Sequence, residues 1–294
     1  MPEPEIYRFS PISRLLRSAP SRIDLARKSV ELREALQAAF DASGADVLSL
    51  DVFDTLLLRD NQSEARRFWE LSKLIRKELI DSKAHPRAAA LSVEDFLLAR
   101  VEGMRVSYRT RKPVKTCCEG VLDDVTKIAR RALGLSASVD KHFIATEIVY
   151  EASVLAINDA VLDLARAVKA KGGRVVLVSD MYLRGEHIGA ILEKVDSGAA
   201  KIVDHIFSSG DLVVSKRAGR IFREIERRLE LGPSAFFHIG DSLLGDVSRP
   251  REAGWSALHF PVSDAEAQAR EADVAAFIDE MHALGLNVSD WAKV

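Results

Sequence analysis

The chain has 294 residues, enough for one large domain or two ordinary ones. Apolar residues make up 47% and charged residues 29%, with 16 glycines and nine prolines, which excludes a collagen-like or wholly disordered chain. A formal charge of −2 excludes a chain built as a whole to coat nucleic acid or an acidic membrane surface.

Prolines 2, 4, 11 and 20 mark the first 20 residues as an irregular arm. Leu25, Leu32, Leu36 and Phe40 then recur at helical spacing, predicting one helix over 24–40 that Ser43-Gly44 ends. The short apolar run Val47–Leu50 stops at Asp51 and reads as a buried strand. From Asn61 to about Glu151 the pattern is helical. Asn61 with Glu64, Ser92 with Asp95 and Thr116 with Glu119 are expected to cap successive helices. Strand-like runs resume at 174–179, 204–208, 235–239 and 256–260, with helical stretches between them. Strand alternating with helix predicts a parallel sheet covered on both faces.

The expected architecture is a doubly wound, Rossmann-like α/β core (44–60 and 152–262) with an all-helical cap (61–151) inserted after its first strand. An arm and helix (1–43) precede it and a C-terminal helix (263–294) closes it, ended near Gly285. Only two cysteines occur, Cys117 and Cys118. Neighbours in sequence cannot staple distant parts of a secreted framework, so a reducing cytoplasm is the expectation. No apolar run approaches the roughly 20 residues that span a bilayer, and residues 1–28 lack the apolar core of a secretory signal.

Polar residues gather at the C-terminal ends of the predicted strands, where open α/β sheets bind ligands. The first strand closes with Asp51-Val-Phe-Asp54-Thr55, the second with Ser179-Asp180, and the fourth with His238-Ile-Gly-Asp241-Ser, followed by Asp246. Lys216 follows Ser215 at an expected helix start. Together these are the groups that phosphoryl transfer through an aspartate needs. Asp51 is placed to attack phosphorus, Asp241 and Asp246 to hold a divalent cation, and Ser179 and Lys216 to bind phosphoryl oxygens. Hard oxygen ligands favour Mg²⁺, and no His/Cys set with zinc spacing competes. His238 reads as a core or rim histidine. The three tryptophans are too scattered for a base-stacking platform.

The segments SLDVFDTLLLR (49–59), VVLVSDMYL (175–183), SKRAGRIF (215–222) and HIGDSLLGDV (238–247) appear in the order of four motifs. In this the chain resembles the haloacid dehalogenase-like (HAD) hydrolase superfamily over roughly residues 44–262. The wording of the first three is also similar to a subgroup that often accompanies surface-polysaccharide glycosyltransferases. The long spacing from Asp51 to Ser179 fits the helical cap called C1 in that superfamily. The resemblance implies a nucleophile at Asp51, a phosphate-binding hydroxyl at Ser179, a lysine at Lys216, and Mg²⁺ held by Asp51, Asp241, Asp246 and the backbone carbonyl of Phe53. Thr55 and Asp180 fall in the substrate-binding stretches. One departure is serious: phosphatases of this kind place a second aspartate, the general acid/base, where this chain has Phe53. Asp54, one residue off register and needing a local turn to face the substrate, and Asp180 are the nearest replacements.

Within the cap, Arg105, Arg109 and Arg111 belong to a basic stretch with no acidic residue, read either as a solvated surface or as a field that steers an anionic substrate. The leading expectation is a Mg²⁺-dependent phosphohydrolase of a small phosphorylated metabolite, cytoplasmic, with neither nucleic acid nor membrane as partner; oligomeric state stays open. Two alternatives remain: a dehalogenase-type hydrolase, and a weak or inactive phosphate- or partner-binding scaffold.

Overall fold

The computed structural model describes residues 11–289 and 292. Its centre is a five-stranded sheet in the order β5-β4-β1-β6-β7, parallel throughout. The strands are β1 (Val47–Leu50), β4 (Arg174–Ser179), β5 (His205–Ser208), β6 (Phe236–Gly240) and β7 (Ser256–His259). With its flanking helices this is the doubly wound α/β fold expected from the alternation of strand and helix.

β1 is the middle strand, and all four of its residues are buried. Val47 pairs with Arg174 on one side and Phe236 on the other, and Leu50 with Leu177 and Ile239. A strand with both edges paired and both faces covered has no polar face, which is why it reads as a continuous apolar run. Successive side chains alternate between faces. Val47, Val176, Val178 and Phe236 pack with Ile221, Phe222 and Ile225 on one face. Phe237 points to the other, meeting the Phe40 ring edge-on.

The chain divides into two compact units: residues 1–59, 113–119 and 155–266, and residues 60–112, 120–154 and 267–294. The first holds the sheet. Here the chain leaves along β2 (Leu57–Arg59) and returns along β3 (Leu155–Ile157), which pair antiparallel. Asn158 seals this hairpin to the end of β1, donating its backbone N–H to the Leu56 carbonyl (2.9 Å) and its side-chain amide to the Thr55 carbonyl (2.7 Å). The second unit contains four long helices, Glu64–Asp81, Val93–Thr110, Leu122–Ala132 and Asp140–Ser153. It holds the buried pair Arg100–Glu147 (2.5 Å) and two apolar clusters, one built on Leu71, Phe96 and Phe143, the other on Trp69, Leu97 and Phe277.

Several local expectations change. The arm expected through residue 20 becomes helical at α1 (Pro11–Arg17), while its first ten residues lie outside those described. The single helix expected over 24–40 is two, α2 (Arg22–Lys28) and α3 (Val30–Ser43), broken where Ser29 caps the second. Ser63, not Asn61, caps the helix at Glu64. The Ser92–Asp95 capping box forms as expected. The Thr116–Glu119 box does not: Thr116 has φ +70° and the next helix starts at Leu122. The segment 113–119 joins the sheet-bearing unit, where buried Cys117 packs with Val178 and Phe207.

Candidate active site

Because β1, β4 and β6 lie side by side and parallel, their C-terminal ends open on one edge. The Asp51 N–H continues the ladder by donating to the Ile239 carbonyl (2.8 Å), which fixes the residue just beyond the strand. A cleft of roughly 390 Å³ at this edge is lined by Asp51, Phe53, Asp54, Arg59, Ser179, Asp180, Met181, Lys216, Arg217, Asp241 and Asp246, among others. Seven of the core residues expected from the sequence therefore meet in one place with Phe53. Thr55, also expected at the substrate, is fully buried and does not line the cleft.

Lys216 organises the floor. Its ammonium donates to Asp51 Oδ1 (2.5 Å) and Asp246 Oδ1 (2.6 Å), and all three residues are buried. The helix expected to open at Ser215 starts instead at Arg220, and Lys216 sits in the preceding turn. Asp180 makes that turn: its two oxygens accept the backbone N–H groups of Lys216 (2.9 Å) and Arg217 (3.3 Å). Asp246 lies on a short π-helical turn, Leu243–Ser248, a geometry frequent at functional sites. Its Oδ2 accepts the Ser242 N–H (2.9 Å).

His238 carries more of this site than the sequence suggested. Its Nε2 lies 3.0 Å from Asp246 Oδ1 and its Nδ1 2.8 Å from the Ser49 hydroxyl, all inside the core. Burial holds the imidazole below its ordinary pKa, against the pull of Asp246. In the neutral ring, Ser49 donates to Nδ1 and Nε2–H donates to Asp246. Burial alone would raise the Asp246 carboxyl, but Lys216 and His238 outweigh it and hold the group well below the usual range. Burial alone would lower Lys216, but Asp246 and Asp51 outweigh it and raise the group, so it stays cationic.

Asp51, Asp241 and Asp246 each present an oxygen within 4.8 Å of the others. Burial, followed by the neighbouring carboxylates, raises Asp51 well above its ordinary value and Asp241 to about 6. Three carboxylates share one ammonium, so the cluster carries excess negative charge. That excess and the all-oxygen donor set fit a hard divalent cation.

Phe53 and Asp54 occupy the turn after β1. Asp54 has φ +61°, a left-handed conformation that costs a non-glycine residue of the order of 1 kcal/mol or more unless its surroundings impose it. The local turn that Asp54 required is thus present, and the residue does line the cleft. Its carboxylate is taken, however: Oδ1 accepts from Arg22 (2.7 Å) and Oδ2 lies 3.9 Å from Arg59. The Arg59 guanidinium also stacks over the Phe53 ring, 4.5 Å from its centre. Sequence reasoning missed both arginines, although Arg59 stood within the quoted motif. It missed Glu119 too, whose side chain hydrogen-bonds with Ser209 and Ser215 and which burial and Asp180 push up to about 7. Arg105, Arg109 and Arg111 belong to the other unit, where Arg105 pairs with Glu102 (3.3 Å) and Arg111 with Asp124 (3.2 Å).

Beyond the chain's own geometry, a family model described as haloacid dehalogenase-like hydrolase matches residues 45–254. No curated protein sequence gives a significant match. Among solved structures, an HAD-family enzyme from Bacteroides thetaiotaomicron is 18% identical with a TM-score of 0.48, over 73% of this chain and 93% of that one. A 2-haloacid dehalogenase from Pseudomonas syringae pv. tomato DC3000 is 16% identical with a TM-score of 0.48, over 79% and 99%. A magnesium-bound HAD-hydrolase from Bacillus subtilis is 17% identical with a TM-score of 0.43, over 72% and 86%.

Gly240 tests how tightly the site is assembled. A Cβ there would lie 2.3 Å from Asp246 Cγ, whereas one at Gly232 would meet nothing within 4 Å. Gly240→Ala is expected to force Asp246 away from Lys216 and His238, lowering stability in urea by about 1–3 kcal/mol as overpacking does. Gly232→Ala serves as the neutral control. A Gly240→Ala protein as stable as its parent would show that the Asp246 contact is loose.

Proposed function

The chain belongs to the haloacid dehalogenase-like hydrolase family, and on that premise we propose that it is a Mg²⁺-dependent phosphohydrolase of small phosphorylated metabolites, working in the cytoplasm. The observation that carries the reading is Lys216 held between Asp51 and Asp246 on the floor of the cleft, with Asp241 beside them. A lone ammonium among three carboxylates suits a dianionic phosphoryl group brought in with its own cation. The cytoplasmic part rests on Cys117 and Cys118, which are both free thiols.

Asp51, Asp241, Asp246 and the Phe53 carbonyl would hold the cation, which when bound offsets the repulsion between carboxylate and phosphate. The rest is the work of the chain. The Asp51 carboxylate attacks phosphorus, a bond forms to its oxygen and the ester bond breaks, leaving an aspartyl-phosphate and the leaving alkoxide. Lys216 and the Ser179 hydroxyl face the transferring oxygens from the same cleft. Water then attacks the phosphoryl group and releases Asp51 and inorganic phosphate.

Purified protein is expected to release phosphate from a panel of phosphorylated sugars and sugar acids only when Mg²⁺ is present, and Asp51→Asn should lose at least ~10³-fold in kcat while remaining folded. Phosphate release by the variant at the parental rate would sink the nucleophile. Cation affinity should also depend on pH. Asp241, pushed up to about 6, must lose its proton to ligate. Asp51, also raised by burial, must do the same, so binding strengthens as pH rises through the range in which these two groups lose their protons and weakens toward pH 5. A flat Mg²⁺ affinity from pH 5 to 7.5 by calorimetry would place the ligand elsewhere.

The proton for the leaving group is the weak point. Phe53 cannot supply it, Asp54 is engaged by Arg22 and Arg59, and Asp180 is engaged by two backbone N–H groups. Aryl phosphates should consequently be cleaved faster than alkyl phosphates by about 10²- to 10⁴-fold, the usual worth of general acid help. Phe53→Asp should narrow that gap. Equal rates for aryl and alkyl esters in the parent would mean that another group donates the proton.

A further inference from the structure

Arg22 stands on α2, outside the span of the family match, and its side chain is fully buried. Arginine is almost never found so deep unless its donors are satisfied. Here they are satisfied by two residues. Nη1 donates to the Asp54 carbonyl oxygen (2.6 Å) and Nη2 to Asp54 Oδ1 (2.7 Å), gripping main chain and side chain of one residue at once. Nε donates to Glu266 Oε2 (2.5 Å), and the Arg22 backbone N–H to Glu266 Oε1 (2.7 Å).

Both anchors are themselves fixed. The Ser21 hydroxyl accepts the Asp24 N–H and caps α2, which sets the direction from which Arg22 enters. Glu266 opens the helix Asp264–Ala283, and its N–H donates to the buried Ser263 hydroxyl (3.1 Å). Residues 22 and 266 thus bracket the matched domain in sequence and converge on the turn that follows the nucleophile.

We propose that Arg22 is a positioning residue of the active site: its guanidinium holds the Asp54 turn so that the Phe53 carbonyl faces the cation and the Asp54 carboxylate does not. The inference rests on the Mg²⁺-dependent reading given above and deepens it, because it makes the helices before the family domain part of the site. The left-handed backbone of Asp54 is held from within the turn by its N–H donating to the Leu57 carbonyl (2.7 Å) and from outside by Arg22 on its own carbonyl. Groups one step behind the ligands orient them, and their loss typically weakens a metal about 10- to 100-fold.

The test uses the full chain and Mg²⁺ itself as the probe, followed by isothermal titration calorimetry, with urea unfolding of the metal-free protein alongside. Arg22→Lys keeps the charge but cannot reach the Asp54 carbonyl, the Asp54 carboxylate and Glu266 together. It should bind Mg²⁺ about 10- to 100-fold more weakly than the parent. A purely structural arginine would lower only the urea midpoint, so a folded Arg22→Lys protein with parental Mg²⁺ affinity overturns the proposal. Should Arg22→Lys fail to fold, Glu266→Gln decides: its amide offers one acceptor to the two Arg22 donors, backbone N–H and Nε, so one of them loses its partner, the anchor of Arg22 loosens, and Mg²⁺ binding is expected to weaken at least about threefold. Parental affinity in that folded variant overturns the proposal equally. Absence of Mg²⁺ binding in the parent would overturn the cation reading, and this inference with it, whereas binding in the parent and undiminished binding in the variants removes only the role of Arg22.

Discussion

Everything at the catalytic edge hangs on one ammonium group placed between two buried carboxylates. Without Lys216, Asp51 and Asp246 would face each other across a few ångströms with nothing to offset their charge, and one of them would have to take up a proton. The lysine is in turn located by Asp180 through its own backbone N–H, and Asp246 by His238 and Ser242. Gly240 lets the Asp246 side chain lie against β6 because it has no Cβ to collide with. The Lys216 contacts join the ends of β1, β4 and β6, so the parallel order of the sheet and the charge balance of the cleft support each other.

The sequence disclosed the part of the molecule whose physics is local. A short, mostly apolar run ending in a polar residue is a buried strand with a polar tip whatever surrounds it, and three such tips in sequence order located Asp51, Ser179, and Asp241 with Asp246. Features decided by distant partners stayed hidden. His238 looks like one more core residue until Ser49 and Asp246 are brought to its two nitrogens. Arg22 looks like one arginine in a basic arm, because its acceptors lie 32 and 244 positions away. Local signals also misled where tertiary packing outweighed them. Thr116 and Glu119 have the spacing of a capping box, yet the segment docks against the sheet-bearing unit, and Glu119 bonds to Ser209 and Ser215 instead.

Phe53 gathers its neighbours into one set of contacts. In place of a carboxylate the cleft has an aromatic ring with the Arg59 guanidinium stacked on it, and that guanidinium also lies beside Asp54. An acid at this position would compete with Asp54 for the arginine; a ring does not. Phe53, Asp54, Arg59 and Arg22 therefore form one set, with contacts reaching into α2.

The β2–β3 hairpin has a further consequence for how the chain folds. Pairing Val47 with Arg174 joins residues more than a hundred positions apart, and closing so long a loop has an entropic cost that slows folding. Once Leu57 pairs with Ile157 and Asn158 ties to Thr55 and Leu56, the intervening helices become a closed excursion, and only short connections separate β1 from β4. A pair of three-residue strands acts in this way as a clasp that turns a high-contact-order sheet into one assembled from near neighbours. Outside residues 113–119, which pack in the sheet-bearing unit, the excursion is then free to vary in length with little effect on how β1 and β4 find each other, since each doubling of a closed loop costs only about 0.6 kcal/mol.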